Sequence, residues 1–214
     1  MLRFWNRPIT MKDDRLTKQI FNVQYQHETP NSWCTNVKDI FSILGKVNMY
    51  NQKLPCNLKE IEDLLYENAE KEWKEVVEKK PKLRTFKTFK GDCKTSDYVK
   101  WTINRFDRSL FAKFRSGILQ LRVESGRFNN IKLEDRICEL CDDQKIEDEF
   151  HFLCVCQKYS DLRTTLFNSV SSKHEQFTNM NLNDRFKFLI INCAKDVIKF
   201  LKNAWDLRKH TLFN

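Results

Sequence analysis

Glycine and proline are scarce in this chain, four of each in 214 residues. An average sequence carries about 12% of the two together. So few breakers argue against a loop-rich β-sandwich and against Gly-rich phosphate loops of the dinucleotide or P-loop kind. Long apolar runs are missing too. The longest purely aliphatic and aromatic run is Phe188-Leu189-Ile190-Ile191, whereas a spanning helix needs about 20 predominantly apolar residues. No membrane partner is expected. The opening Met1 to Thr10 carries Arg3 and Arg7 with no extended apolar stretch behind them, so no secretory signal is read there. An intracellular protein, nuclear or cytoplasmic, is expected.

What is present favours helices. Seventeen Phe and five Trp supply bulky core material within a 41% hydrophobic composition. The 38 basic residues outnumber 29 acidic ones, giving +9. Such a surplus suits a phosphate-rich partner, RNA or DNA. Helical spacing of Leu16, Ile20 and Val23 predicts a helix over about 12–25, capped by Thr10. A short helix is expected after Asn31-Ser32, ending at Gly45. Asn57 and Glu60 have capping-box spacing and introduce a stripe of Leu58, Ile61, Leu64, Leu65, Ala69, Trp73, Val76 and Val77 before Pro81. Thr85 to Lys90 alternates and reads as extended. A further helix is expected from the cap Ser96 through Ile103, Phe106, Leu110, Phe111 and Phe114, breaking near Gly117. Helices over 159–170 and about 183–208 follow.

The resulting expectation is a mostly α fold, a multi-helix domain with one small CCHC module inserted between helices. Its parts are a basic helical region 1–130, the module 131–160, and a helical region 161–214 packing on the first. No Pro/Gly/Ser-rich linker separates them, so one compact unit is expected.

Eight cysteines in a reducing compartment point to metal binding or free thiols, not to a disulfide framework. Cys34, Cys56, Cys93 and Cys193 stand alone, while Cys138, Cys141, Cys154 and Cys156 crowd together. Cys138-x2-Cys141-x9-His151-x4-Cys156 supplies two thiolates on one turn and a second pair to close a tetrahedron. Four protein ligands leave no open position, so a single structural Zn2+ is expected. Cys154 is an alternative fourth ligand, although it falls in the apolar run Phe152-Leu153-Cys154-Val155 and reads as core. Residues 131–150 carry eight acidic side chains against three basic ones. They read as a solvated surface facing away from nucleic acid, with Glu149 placed to orient His151.

The basic stretch before this module holds the candidate nucleic-acid contacts. They are Lys79, Lys80, Lys82, Arg84, Lys87, Lys90, Lys94, Lys100, Arg105, Arg108, Lys113, Arg115, Arg122 and Arg127. Cations that release counterions from phosphates, interleaved with aromatics that stack on unpaired bases, characterise sequence-tolerant binders of single strands. Phe106, Phe111 and Phe114 read as helix core, while Phe86 and Phe89 fit either role. Lys79 to Arg84 also matches a short nuclear-import pattern.

Catalysis is not expected. No Ser-His-Asp order, HExxH, P-loop or Pro-Asp…Glu-x-Lys pattern is present, and His27, His174 and His210 stand alone. Asp13-Asp14 would need a further upstream carboxylate and a tight turn between strands to share two metals. Here a helix follows and nothing suitable precedes. Asp142-Asp143 fails in the same way.

The run Arg115-Ser-Gly117-Ile-Leu-Gln-Leu-Arg122-Val-Glu124-Ser-Gly126-Arg127 is followed by Arg136-Ile-Cys138-Glu-Leu-Cys141. Ile146-Glu147-Asp148-Glu149-Phe-His151-Phe-Leu-Cys-Val-Cys156, Tyr159 and Arg163 come next. Together they resemble the zinc-knuckle region that follows the polymerase in non-LTR (LINE-like) retrotransposon reverse transcriptases. Met1 to Arg7 and Phe200 to Arg208 resemble it as well, so the similarity covers nearly the whole chain and is most specific in 115–163. In that family the last Cys lies five positions after the His, which fits Cys156 and leaves Cys154 a bystander. The resemblance implies a grip on template RNA or target DNA during target-primed reverse transcription. Polymerase and endonuclease motifs are absent here, so a reverse transcriptase acting in trans is the implied protein partner. The rival expectations are a zinc-stapled helical protein-interaction module and an inert retroelement remnant.

Overall fold

Eleven α-helices and no strand occur among the described residues of the computed structural model, which are 1–27, 29–101 and 104–213. The mostly α expectation holds. The chain divides into two compact units, Met1–Glu72 and Trp73–Asn214. The boundary falls within a helix, not at 130 or 160, and there are two units where one was expected. A helix that is polar and solvated through its middle can carry the chain across a boundary. No Gly/Ser/Pro signal marks the place.

The first unit is built on aromatic packing. Its helices are α1 (Leu2–Ile9), α2 (Leu16–Gln26), α3 (Trp33–Ile43), α4 (Val47–Asn51) and the start of α5 (Leu58–Glu78). Trp5 stacks on Tyr50 at 5.2 Å between ring centres and meets Phe21 and Phe41 edge-on. Its indole N–H donates to the Leu54 carbonyl at 2.9 Å, so the buried polar end is satisfied. Asn6 grips the Cys56 backbone with two 2.7 Å bonds, one donated and one accepted. Ser32 caps α3 by accepting the Thr35 N–H, and Asn57 caps α5 through the Lys59 and Glu60 N–H groups. Gly45 follows α3 in the left-handed region at φ +68°.

One expectation fails in this unit. Thr10 does not start a helix; it ends α1, its hydroxyl donating to the Asn6 carbonyl, and α2 begins later. The buried residue of α2 is Phe21, 3% exposed, while Leu16 is 70% exposed and Ile20 and Val23 are exposed as well. Spacing finds a stripe but not what opposes it. Trp5 and Trp33 supply the aromatic surface that takes Phe21 inward.

The second unit contains α6 (Arg84–Lys87), α7 (Arg105–Arg115), α8 (Arg122–Phe128), α9 (Ser160–Ser171), α10 (Leu182–Asn192) and α11 (Ala194–Phe213). Helix α11 packs on α7, α9 and α10, burying Val197, Leu201 and Ala204 at helical spacing. The stretch 84–87 is helical, not extended, and Thr85 is buried. The helix expected from Ser96 begins at Asn104, whose side chain accepts the Asp107 N–H at 2.8 Å. Ser96 instead precedes a short 3-10 turn, and Ile103 lies outside the described residues. Gly117 follows α7 at φ +69°, where a Cβ would come within 2.8 Å of the Lys82 carbonyl oxygen. The long final helix is two, separated at Cys193. The cysteine-rich segment lies between α8 and α9, as expected.

Candidate metal centre

Two local structures bring four side chains together. The first is a tight antiparallel pairing of Ile137 with Ile146. In it the Cys138 N–H donates to the Lys145 carbonyl and the Glu147 N–H to the Arg136 carbonyl. Gln144 turns the chain at φ +51°. Cys138 and Cys141 sit at the tip. The second is a π turn over His151–Val155, in which the Cys156 N–H donates to the His151 carbonyl at 2.8 Å. In an α-helix, residues five apart point well away from each other. The wider turn brings His151 and Cys156 to one side.

The ligand atoms of Cys138, Cys141, His151 and Cys156 lie within 4.8 Å of one another. The Cys138 and Cys156 sulfurs are 3.8 Å apart, and Cys141 Sγ is 3.3 Å from His151 Nε2. A tetrahedral zinc site has edges of about 3.8 Å between sulfurs and about 3.6 Å between sulfur and nitrogen. The four groups therefore fit one metal ion, with His151 offering Nε2. Cys138, His151 and Cys156 are buried and Cys141 is half-buried. Cys154 belongs to the apolar core instead, and burial pushes its thiol up to about 12.

The hydrogen bond to Cys156, then burial, push the Cys138 thiol up to about 12. Cys156, receiving that bond, is held below its ordinary value, and burial raises Cys141. Metal uptake would displace the thiol protons.

Buried charges support the centre, and composition gave little sign of them. Glu147 is 0% exposed. It pairs with Arg208 of α11 through both oxygens, accepts the Arg122 N–H at the start of α8 at 2.8 Å, and has Cys138 Sγ 3.8 Å from Oε1. One carboxylate thus ties the centre to two helices. Arg163 donates to the Cys156 carbonyl at 2.9 Å. Glu149 is buried as well, and it does not orient His151. It accepts from Arg84 at 2.9 Å and from the Thr85 hydroxyl at 2.7 Å. Burial raises its carboxyl despite Arg84. Asp148 receives the His151 N–H. The acidic segment is therefore not simply a solvated face; Glu147 and Glu149 are internal ion-pair partners.

That finding redistributes the basic stretch. Lys82 and Arg127 pair with buried Glu124 at 3.0 and 2.9 Å, and Arg122 pairs with Glu139 at 3.1 Å. Arg84 belongs to Glu149. Lys87 meets Glu78, Lys90 meets Asp92, and Lys100 meets Asp97. Arg108 donates to the Val99 carbonyl. Arg115 is only 6% exposed, its guanidinium lying 4.6 Å from the Phe89 ring and 4.9 Å from the Tyr98 ring, with a bond to the Ile190 carbonyl. It has no face for a phosphate. Phe86 packs edge-on to Trp73 and Phe89. Lys79, Lys80, Lys94, Arg105 and Lys113 are exposed.

No family model matches the chain, and neither a curated protein nor a solved structure matches it.

Proposed function

We propose that this chain is a non-catalytic nucleic-acid-binding module whose second unit is stapled by one structural Zn2+ on Cys138, Cys141, His151 and Cys156. The observation that carries the reading is the four-donor cluster, with 3.8 Å between the Cys138 and Cys156 sulfurs and 3.3 Å from Cys141 Sγ to His151 Nε2, close to the edges of a closed tetrahedral site. Charge supports the nucleic-acid part. Residues 1–72 hold ten basic and ten acidic side chains, whereas 73–214 hold twenty-eight and nineteen, so the whole surplus lies in the unit that bears the cluster. The resemblance of 115–163 to the post-polymerase knuckle of non-LTR reverse transcriptases supports the same reading. It makes template RNA or target DNA the ligand and a reverse transcriptase in trans the protein partner.

The test is metal analysis followed by RNA and DNA binding across a salt series. One equivalent of zinc, and an affinity that falls steeply with salt, are expected. Zinc without nucleic-acid binding overturns the binding part of the reading. Salt-insensitive capture of a protein would replace it with the interaction-module reading.

A further inference from the structure

A group of exposed cations in the second unit lies on an element outside the basic stretch that the sequence singles out. Helix α11 carries Lys195, Lys199 and Lys202, spaced i, i+4 and i+7, which places them on one face. All three are exposed. They border a groove of about 300 Å3 with Asp107, Ile198 and Asn203. Asp107, at the start of α7, pairs with Lys202 at 3.3 Å and so fixes one edge. Lys195 and Lys199 have no carboxylate within ion-pair distance among the described residues. The Lys195 ammonium lies 5.6 Å from the centre of the half-buried Trp101 ring, within cation–π range.

We infer that this groove is a subsite for a single-stranded nucleic-acid segment, its phosphates on Lys195, Lys199 and Lys202 and an unpaired base against Trp101. The inference rests on the nucleic-acid reading above and assigns that reading a surface. A row of cations tracking a backbone beside aromatic rings is the arrangement by which single strands are held without sequence readout. Duplex DNA keeps its bases stacked and offers nothing to the ring. Ribose and deoxyribose strands share the required phosphate and base chemistry.

The experiment uses the zinc-loaded full chain and three fluorescent probes: a short oligouridine, the matching oligothymidine, and a duplex of equal length. A Lys195→Ala/Lys199→Ala/Lys202→Ala variant is compared with Lys132→Ala/Lys145→Ala/Lys187→Ala, which removes the same charge from exposed positions outside the groove. Melting temperature is measured on both. The groove variant is expected to lose at least tenfold in affinity and to flatten the salt slope by about 2, at about 0.7 per lost phosphate contact on a single strand. The control variant is expected to change affinity less than threefold. Trp101→Ala is expected to weaken binding with the slope unchanged, which a purely electrostatic surface would not show. Equal losses in the two triple variants overturn the groove while leaving the nucleic-acid reading standing. Equal affinity for the duplex overturns the single-strand assignment. Failure of the wild-type chain to bind any probe overturns both readings. A preference between oligouridine and oligothymidine identifies which strand the groove serves.

Discussion

At the scale of single residues, the centre turns on which thiol faces the ligand cluster. Cys154 and Cys156 are two positions apart, both buried and both near His151 in sequence. The π turn separates them, sending Cys156 to the cluster and Cys154 to the core. Cys156→Ser is therefore expected to lose bound zinc, and Cys154→Ser to retain one equivalent, read by metal analysis after gel filtration. Zinc lost from both variants alike would contradict this division. A second residue-scale expectation concerns pH. Burial raises the Glu124 carboxyl, but the bonds from Arg127 and Lys82 outweigh it, so its pKa lies below the ordinary 4.5. A depressed folded-state pKa contributes stability above the ordinary value and loses it as pH falls through the folded value. Glu124→Gln should cost about 1–3 kcal/mol at neutral pH. The gap from wild type should begin to narrow as pH falls below the ordinary 4.5 and close once it passes the lower folded value, measured by denaturant unfolding at each pH. A gap that persists in acid would show that the loss is steric.

Among the helices, the sequence was most legible where local chemistry alone decides. Ser32 before α3, Asn57 before α5 and Gly45 after α3 mark ends through caps and a left-handed turn that need no distant partner. Legibility failed where the opposing surface decides. On α2 the apolar spacing of Leu16, Ile20 and Val23 was correct as a pattern, yet the core takes Phe21 because Trp5 and Trp33 lie there. Phe21→Ala should therefore destabilise the first unit by about 3–5 kcal/mol, whereas Leu16→Ala should change it by less than about 0.5 kcal/mol. Thermal unfolding of the two variants checks the ranking, and equal losses would place Leu16 in a buried contact. The four-donor cluster was legible because thiol and imidazole spacing is a local rule. Their supports were not, since Glu147 meets Arg208 sixty-one residues away. One clue existed. Arg208 continues the series Val197, Leu201 and Ala204 on the buried face of α11, and a charge on such a stripe calls for an internal partner.

Across the whole molecule, charge and metal chemistry belong to one unit and aromatic packing without net charge to the other. The core around Trp5 and the core around Phe152 share no residue, and all four donors of the candidate metal centre lie by the second. Zinc bound by such ligand sets contributes about 10–16 kcal/mol of apparent folding free energy at neutral pH. A whole domain is typically stable by only about 5–15 kcal/mol. Removing the ion should therefore do more than loosen a loop. Phe152 and Leu153 lie inside the π turn and are fully buried in the second core. Glu147 holds α8 and α11 from the same segment. Loss of the knuckle thus exposes core surface and strands Arg208 without its carboxylate. Chelation at neutral pH is expected to abolish hydrogen-exchange protection over the knuckle and to lower it along α8 and α11. The helices α1 and α3 should keep theirs, because their buried residues pack in the first unit's own core. Uniform loss of protection in both units would show that the metal holds the whole chain. Unchanged protection along α11 would show that the Glu147–Arg208 pair carries no coupling to the centre.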